Sequence, residues 1–574
     1  MSDAATATAE DRGPKKGIDW FPYMMGGLTF VILLFLFLYP MLKTLLASFI
    51  KSGSVMEFST FDPTKLTLYN FQRFFEPGIY VDAFWHSIMI GGWTTLISTL
   101  IALPAAYAVA RVEMPFRNLI LSLSVIPLIA PPFIGSYSWI ILLGRQGIIT
   151  QYVNQWFDVD MPTIYGPFGI ILALSLHFFP FVFLFVQGAL AAADPFIEES
   201  AEIMGGRRWQ IVRTITMPLV LPSIGAGALI ILVRAFGNFG VPAILGGDYY
   251  VLPTLLYQQI HGYFDLNAAA AIAFVNVLIT LVAILFLARV NRRRRFVTVT
   301  SVTRAAKKLN GLGAKIAANI YVWGLLAIAL LPNFVIVFTS FAEKWIATIF
   351  PTEYGFDNYV LVFSELSQPI INSLILGSWA TLLCVVFGTL AGYTSVRRRF
   401  HGKWVLDLTI MLPFILPGIV TGVAFLTSFN KTGLITLTGT GTILVLAYFT
   451  RRLAYIFRSV TAAIGQVDVK MEEASIICGA TWGRTMGKIT VPLIAPGILA
   501  GGILVFTTLL NDLNATIMLY TAPWKTISVS IFEHLINDDL AAASTIGAIA
   551  IMLALTLVFG ASKLIGKSMA DMFR

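Results

Sequence analysis

Apolar residues run in long blocks, polar and basic residues collect between the blocks, and the whole pattern passes through the chain twice. Runs of roughly 18 or more apolar residues, enough to cross about 30 Å of hydrocarbon as helix, begin near Phe21, His86, Leu119, Phe168, Leu221 and Ala268. A second series begins near Ile320, Asn372, Val405, Thr442, Leu493 and Ala543. A helix satisfies its backbone hydrogen bonds within one segment, as lipid requires. The pattern therefore predicts an all-α polytopic membrane protein with about 12 transmembrane helices.

The two series are copies. Trp93, Tyr107, Arg111, Pro127 and Pro131 recur as Trp379, Tyr393, Arg397, Pro413 and Pro417, each 286 residues later, and His86-Ser87 aligns with Asn372-Ser373. Farther along the spacing falls to 274, because the loop from Arg145 to Gly166 is longer than its counterpart from Asn430 to Gly441. Insertions belong in such loops. An even number of spans separates the copies, so they run the same way through the membrane as parallel repeats. The expected organisation is a cytosolic tail over 1–18, a first half over 19–290, a basic cytosolic linker over 291–317 and a second half over 318–574.

Composition agrees with this class: 57% hydrophobic and 12% charged residues, with a mean hydropathy of +0.81, leave too little polar surface for a soluble globule of 574 residues. Lys and Arg gather in alternate loops, at Lys15-Lys16, Arg111 and Arg117, Arg207-Arg208 and Arg213, Arg292 to Arg295, Arg397 to Arg399, Arg484 and Lys488, and Lys567 and Arg574. Those loops and both termini are predicted cytoplasmic. The net charge of +9 follows from topology, and without a basic soluble domain no nucleic-acid partner is implied. The first span is too long for a signal-peptide core and reads as a retained helix. Cys384 and Cys478 define no disulfide framework, and the five scattered histidines offer no metal-ligand spacing.

One phrase stands out between the spans of each copy. Glu199-Ser200-Ala201, Gly205 and Ile215-Thr216-Met217-Pro218 are matched 274 residues on by Glu473-Ala474-Ser475, Gly479 and Ile489-Thr490-Val491-Pro492. Asp194 and Asp468 open the phrase as N-caps, and Pro195 is well placed at a first helical position. Glu198, Glu199, Glu472 and Glu473 follow near first turns, where the helix dipole favours negative charge. Gly205 and Gly479 then suit a left-handed C-terminal cap. A helix-turn-helix element is expected over 194–218 and again over 468–492. An isolated copy reads equally well as a plain solvated loop, but two copies in register with the repeat do not.

These residues resemble the EAA loop of the permease subunits of bacterial ABC importers, the binding-protein-dependent kind, once in each half. The resemblance implies the type I ABC importer permease fold in a multi-pass protein of the bacterial inner membrane, surrounded by lipid. It also implies two copies of a cytosolic ABC ATPase gripped by Asp194, Glu199, Ala201 and Gly205 and by Asp468, Glu473, Ala474 and Gly479. A periplasmic solute-binding protein would deliver the cargo. The chain itself would be no enzyme and bind no cofactor, since no Gly-x-x-x-x-Gly-Lys-(Ser/Thr) loop is present and ATP would act through the partner. Leu412 to Gly418 and Asn514 to Leu519 most resemble ferric-iron permeases, with 2-aminoethylphosphonate or another small organic solute as the alternative.

Candidate pathway residues lie in the fifth spans. Arg234, Asn238, Asn511 and Asp512 are polar where the surroundings are apolar, and charge inside a membrane usually faces a bundle interior or a wet cavity. They line the pathway, or Arg234 and Asp512 pair only to lock the halves. A secondary transporter with two parallel repeats is the alternative from a different class, although it would not need two such loops.

Overall fold

The computed structural model describes residues 21–51, 63–158, 161–292, 311–344, 350–398, 400–431 and 433–566. The tail 1–18 and most of the linker 291–317 lie outside them. The first half comprises α1 (Met24–Ser48), α2 (Ile79–Arg111), α3 (Arg117–Ile129), α4 (Pro132–Leu143), α5 (Pro167–Ala192), α6 (Pro195–Ile203), α7 (Trp209–Phe236), α8 (Leu252–His261) and α9 (Leu266–Arg292). The second repeats it as α10 (Leu312–Thr339), α11 (Gln368–Arg397), α12 (Lys403–Ile415), α13 (Gly418–Ser428), α14 (Gly441–Gly465), α15 (Val469–Ile477), α16 (Trp482–Leu510), α17 (Ile527–Ile536) and α18 (Leu540–Ile565).

Each half is built on three mutually packed helices, α2, α5 and α7 in the first and α11, α14 and α16 in the second. Small residues let these helices approach closely: a methyl group on Gly227 would come within 2.9 Å of Val182, and one on Gly388 within 2.6 Å of Ile456. The first helix of each half crosses to the other half. Thus α1 packs on α11, α12 and α13, with Thr44 Oγ1 2.9 Å from Thr427 Oγ1, while α10 packs on α2 and α4, where Ser138 Oγ donates to Pro332 O at 2.7 Å.

The expected twelve spans are not twelve uniform apolar helices. Among the described residues nine helices are long and apolar enough to cross a membrane, and two bent pairs raise the number to at most 11. The bends, 96° between α3 and the segment from Pro132 and 105° between α12 and α13, fall at Pro131-Pro132 and at Pro417. Proline lacks an N–H and forces the residue before it out of helical conformation, and Ala130 and Leu416 are accordingly extended, with ψ of 147° and 146°. Irregular backbone at membrane depth is tolerated where protein buries it, and Ala130, Pro131, Pro417 and Gly418 are all buried. The remaining expected span, near Thr442, is α14. Its 25 residues give about 37 Å of helix, but Arg451, Arg452 and Arg458 keep it outside the apolar set.

Candidate functional sites: the paired loops and the charged layer

Each loop is a short helix with a defined start and stop. Asp194 Oδ1 accepts from Phe196 N at 2.9 Å and Asp468 Oδ1 from Lys470 N at 3.0 Å, capping α6 and α15. At the far ends Gly205 and Gly479 take φ of 86° and 85°, and the amides beyond them turn back, Gly206 N to Ala201 O at 2.9 Å and Ala480 N to Ser475 O at 3.1 Å. That is the left-handed cap a glycine permits. The chain then enters α7 and α16 through π turns over Val212–Thr216 and Met486–Thr490. The wider turn accommodates Pro218 and Pro492, whose rings would press on the carbonyl four residues back.

An ion pair ties each loop to the core of its own half. Arg111, at the end of α2, holds Glu198 through Nε at 3.0 Å and Nη2 at 3.1 Å, and Thr216 Oγ1 donates to the same carboxylate at 3.0 Å. Arg397, at the end of α11, reaches Glu472 at 3.2 Å, with Tyr393 OH donating to it at 3.0 Å. The inward carboxylates are therefore the first of each Glu pair, a role sequence reasoning did not assign. Glu199 and Glu473, the expected anchors, stand outside these pairs, Glu199 half-buried and Glu473 exposed like Ala474. The same loops expose apolar side chains: Ile203, Met204 and Ile477 are 87%, 88% and 85% exposed, and Ile197, Trp209, Met471 and Ile476 are exposed as well. Several exposed apolar side chains on one short loop suit an interaction site.

The polar residues of the fifth spans gather between the halves, with different partners from those expected. Arg234 does not pair with Asp512: its Nη2 donates to Tyr455 OH of the other half at 2.6 Å, and it lies 6.0 Å from the Phe414 ring. Asp512 is taken by the adjacent helix of its own half, its Oδ2 accepting from Arg451 Nη1 at 2.5 Å and Arg452 Nη2 at 2.7 Å. Its Oδ1 accepts from Ala515 N at 3.1 Å, as Asn238 Oδ1 accepts from Val241 N at 3.0 Å in the first half. Asn511 Nδ2 donates across the halves to Ile129 O at the break after α3, and Phe239 N donates across to Asn514 Oδ1 at 3.0 Å. The arrangement is a cross-linked, charged layer at the level of the two helix breaks. Arg451 and Arg452 escaped sequence reasoning, although two adjacent arginines about ten residues into an expected span are the signal that intramembrane charge provides.

Among the described residues no group of three or more His, Cys, Asp or Glu could hold a metal ion. Cys384 is buried and Cys478 exposed.

A duplicated helical membrane protein, with a capped loop at one end of each half and a polar layer where the halves meet, is a transport protein by class. The chain belongs to the family of binding-protein-dependent transport system inner membrane components, whose pattern matches residues 98–296 and again 384–571. It is the permease of an ABC importer with both halves fused, in the bacterial inner membrane, and this sets the secondary-transporter alternative aside. It is 27% identical over 549 residues to the ferric transport system permease protein FbpB of Actinobacillus pleuropneumoniae, covering 93% of this chain and 77% of that one. It is 29% identical over 508 residues to the putative ferric transport system permease protein FbpB 1 of Haemophilus influenzae, covering 86% and 77%. A crystal structure of a bacterial ABC transporter for alginate import aligns with 48% of this chain at 19% identity and a TM-score of 0.41.

Proposed function

We propose that this chain forms the membrane pathway of a ferric-iron importer, taking its cargo from a periplasmic binding protein and releasing it to the cytoplasm. The halves are 19–290 and 318–574, joined by the basic segment 291–317, with both termini and both loops on the cytoplasmic side. Two ATPase subunits dock on Asp194–Gly205 and Asp468–Gly479, with Glu199 and Glu473 turned toward them and the exposed Ile203, Met204 and Ile477 supplying apolar contact. The observation that carries this reading is the pair of matching capped loops, each ion-paired to a core helix of its own half. Movement of an ATPase would pass through the loop to Glu198 or Glu472, then through Arg111 or Arg397 to the core, shifting the balance between inward and outward arrangements. Iron is supported by the ferric-transport relatives, which match both halves in one chain.

The test is chain-dependent uptake of 55Fe(III) in cells lacking this protein and complemented with wild type or the Glu199→Ala, Glu473→Ala variant at equal membrane levels. Uptake restored by the wild type alone supports the reading. Equal restoration by both removes the docking role from these glutamates, and restoration by neither moves the cargo to another solute such as 2-aminoethylphosphonate.

A further inference from the structure

The layer between the halves holds three guanidiniums and one carboxylate. Asp512 serves Arg451 and Arg452 at once, and Arg234 donates to the Tyr455 hydroxyl, so the three guanidiniums outnumber the one carboxylate by two. Arg451 and Arg452 are 7% and 5% exposed, yet the Nε of each makes no hydrogen bond within the chain, and neither does Asn511 Oδ1. Arg451 also fills the room left by Gly418, where a methyl group would come within 2.7 Å of its guanidinium. Arg234 is only half-buried, and its contact with Tyr455 engages one of its five N–H donors.

A lock between helices is best made from matched charges or apolar packing, because buried uncompensated charge opposes folding. Excess charge retained at membrane depth marks a functional pathway, and guanidiniums match the planar oxygens of carboxylates and phosphates. The first half supplies no such charge at the equivalent places: 274 residues before Arg451, Arg452 and Asp512 stand His177, Phe178 and Asn238. The positive excess therefore comes from α14 and from Arg234, the member that spans the halves.

We infer that this layer is an anion-selective constriction, and that the cargo crosses it as an oxyanion or as an anionic complex of a metal with oxyanions, never as a free cation. The inference rests on the chain being the pathway of the importer and is independent of iron being the cargo. A free ferric ion or a polyamine would meet like charge in a medium that screens poorly. An oxyanion would find unpaired donors.

Uptake of 55Fe(III) given with [32P]phosphate, of [32P]phosphate alone and of [14C]2-aminoethylphosphonate is measured as the difference between complemented cells and cells lacking the chain. The expected result is chain-dependent entry of an oxyanion label, with iron or without it. Entry with 55Fe identifies a ferric complex, whereas entry without it retires the iron reading and leaves the anion inference standing. Arg234→Gln should lower that entry about tenfold at equal membrane levels, as loss of one poorly screened charge implies, and Arg234→Lys should retain most of it. Entry of 55Fe unaccompanied by any oxyanion label, absence of every oxyanion label from wild-type uptake, or undiminished entry through Arg234→Gln would each overturn the inference.

Discussion

The two halves differ most where they meet and least where they touch the cytoplasm. At the loops the repeat is kept closely: the Asp caps, the inward Glu, the left-handed Gly and the π turn before Pro recur 274 residues apart, and the Arg that holds each Glu recurs at 286. In the central layer the fold is kept and the chemistry is not, since His177, Phe178 and Asn238 occupy the places of Arg451, Arg452 and Asp512. Symmetric loops suit two identical partners. An asymmetric layer suits a cargo that passes between the halves and meets a different charged group on each wall, Arg234 on one and the Arg451–Arg452–Asp512 cluster on the other.

The comparison is broken most severely at Asp512. Asp512→Ala leaves Arg451 and Arg452 buried without their carboxylate and is expected to cost about 3–5 kcal/mol, whereas Asn238→Ala in the first half removes a neutral turn hydrogen bond at about 1 kcal/mol. Thermal unfolding of the detergent-purified variants should rank them in that order, and equal losses would mean the second half's charge is not structurally special.

The ion pairs come next. Arg111→Ala and Arg397→Ala each leave a glutamate of the loop without its cation, and a loss of about 2–3 kcal/mol per site is expected from a charged hydrogen bond of this kind. Transport should fall while the ATPases remain bound, because the docking surface is untouched and its link to the core is not. An assay of cargo-stimulated ATP hydrolysis in reconstituted vesicles reads this directly, and unchanged stimulation would show that force does not pass through these arginines.

The smallest effect is expected at the glycines. A Cβ on Gly205 or Gly479 would meet no atom within 4 Å, so Gly205→Ala and Gly479→Ala carry only the conformational cost of a left-handed residue, about 1–2 kcal/mol. The two variants should be alike in stability and in ATPase retention. A large difference between them would break the symmetry of the loops.

The loops were legible in the sequence because they are encoded locally: an Asp that caps, a Gly that turns and a Pro that opens the next span act on their own neighbourhood, and each appears twice. The duplication and the membrane class were legible too, whereas the prolines at the two breaks were seen only as repeated residues and the spans that hold them were expected to be continuous. The partners of Glu198 and Asp512 were not legible. Apolar blocks say that a helix crosses the membrane but not which helices adjoin it, so the crossing of α1 and α10 into the opposite halves leaves no local trace. The arginines of α14 were visible, but their neighbours Leu444, Leu446, Leu453, Ile456 and Phe457 made the segment read as one more apolar span, and only packing against α16 revealed the carboxylate they face.

The most direct test of the account is native mass spectrometry of this chain co-purified with the ATPase of its own transport system, under nucleotide-free conditions. One copy of the chain carrying two ATPase subunits, with a single subunit retained when residues 468–479 are replaced by a Gly-Ser segment, is the result the paired loops require. A complex with one ATPase per chain, or retention of both subunits after that replacement, would contradict it.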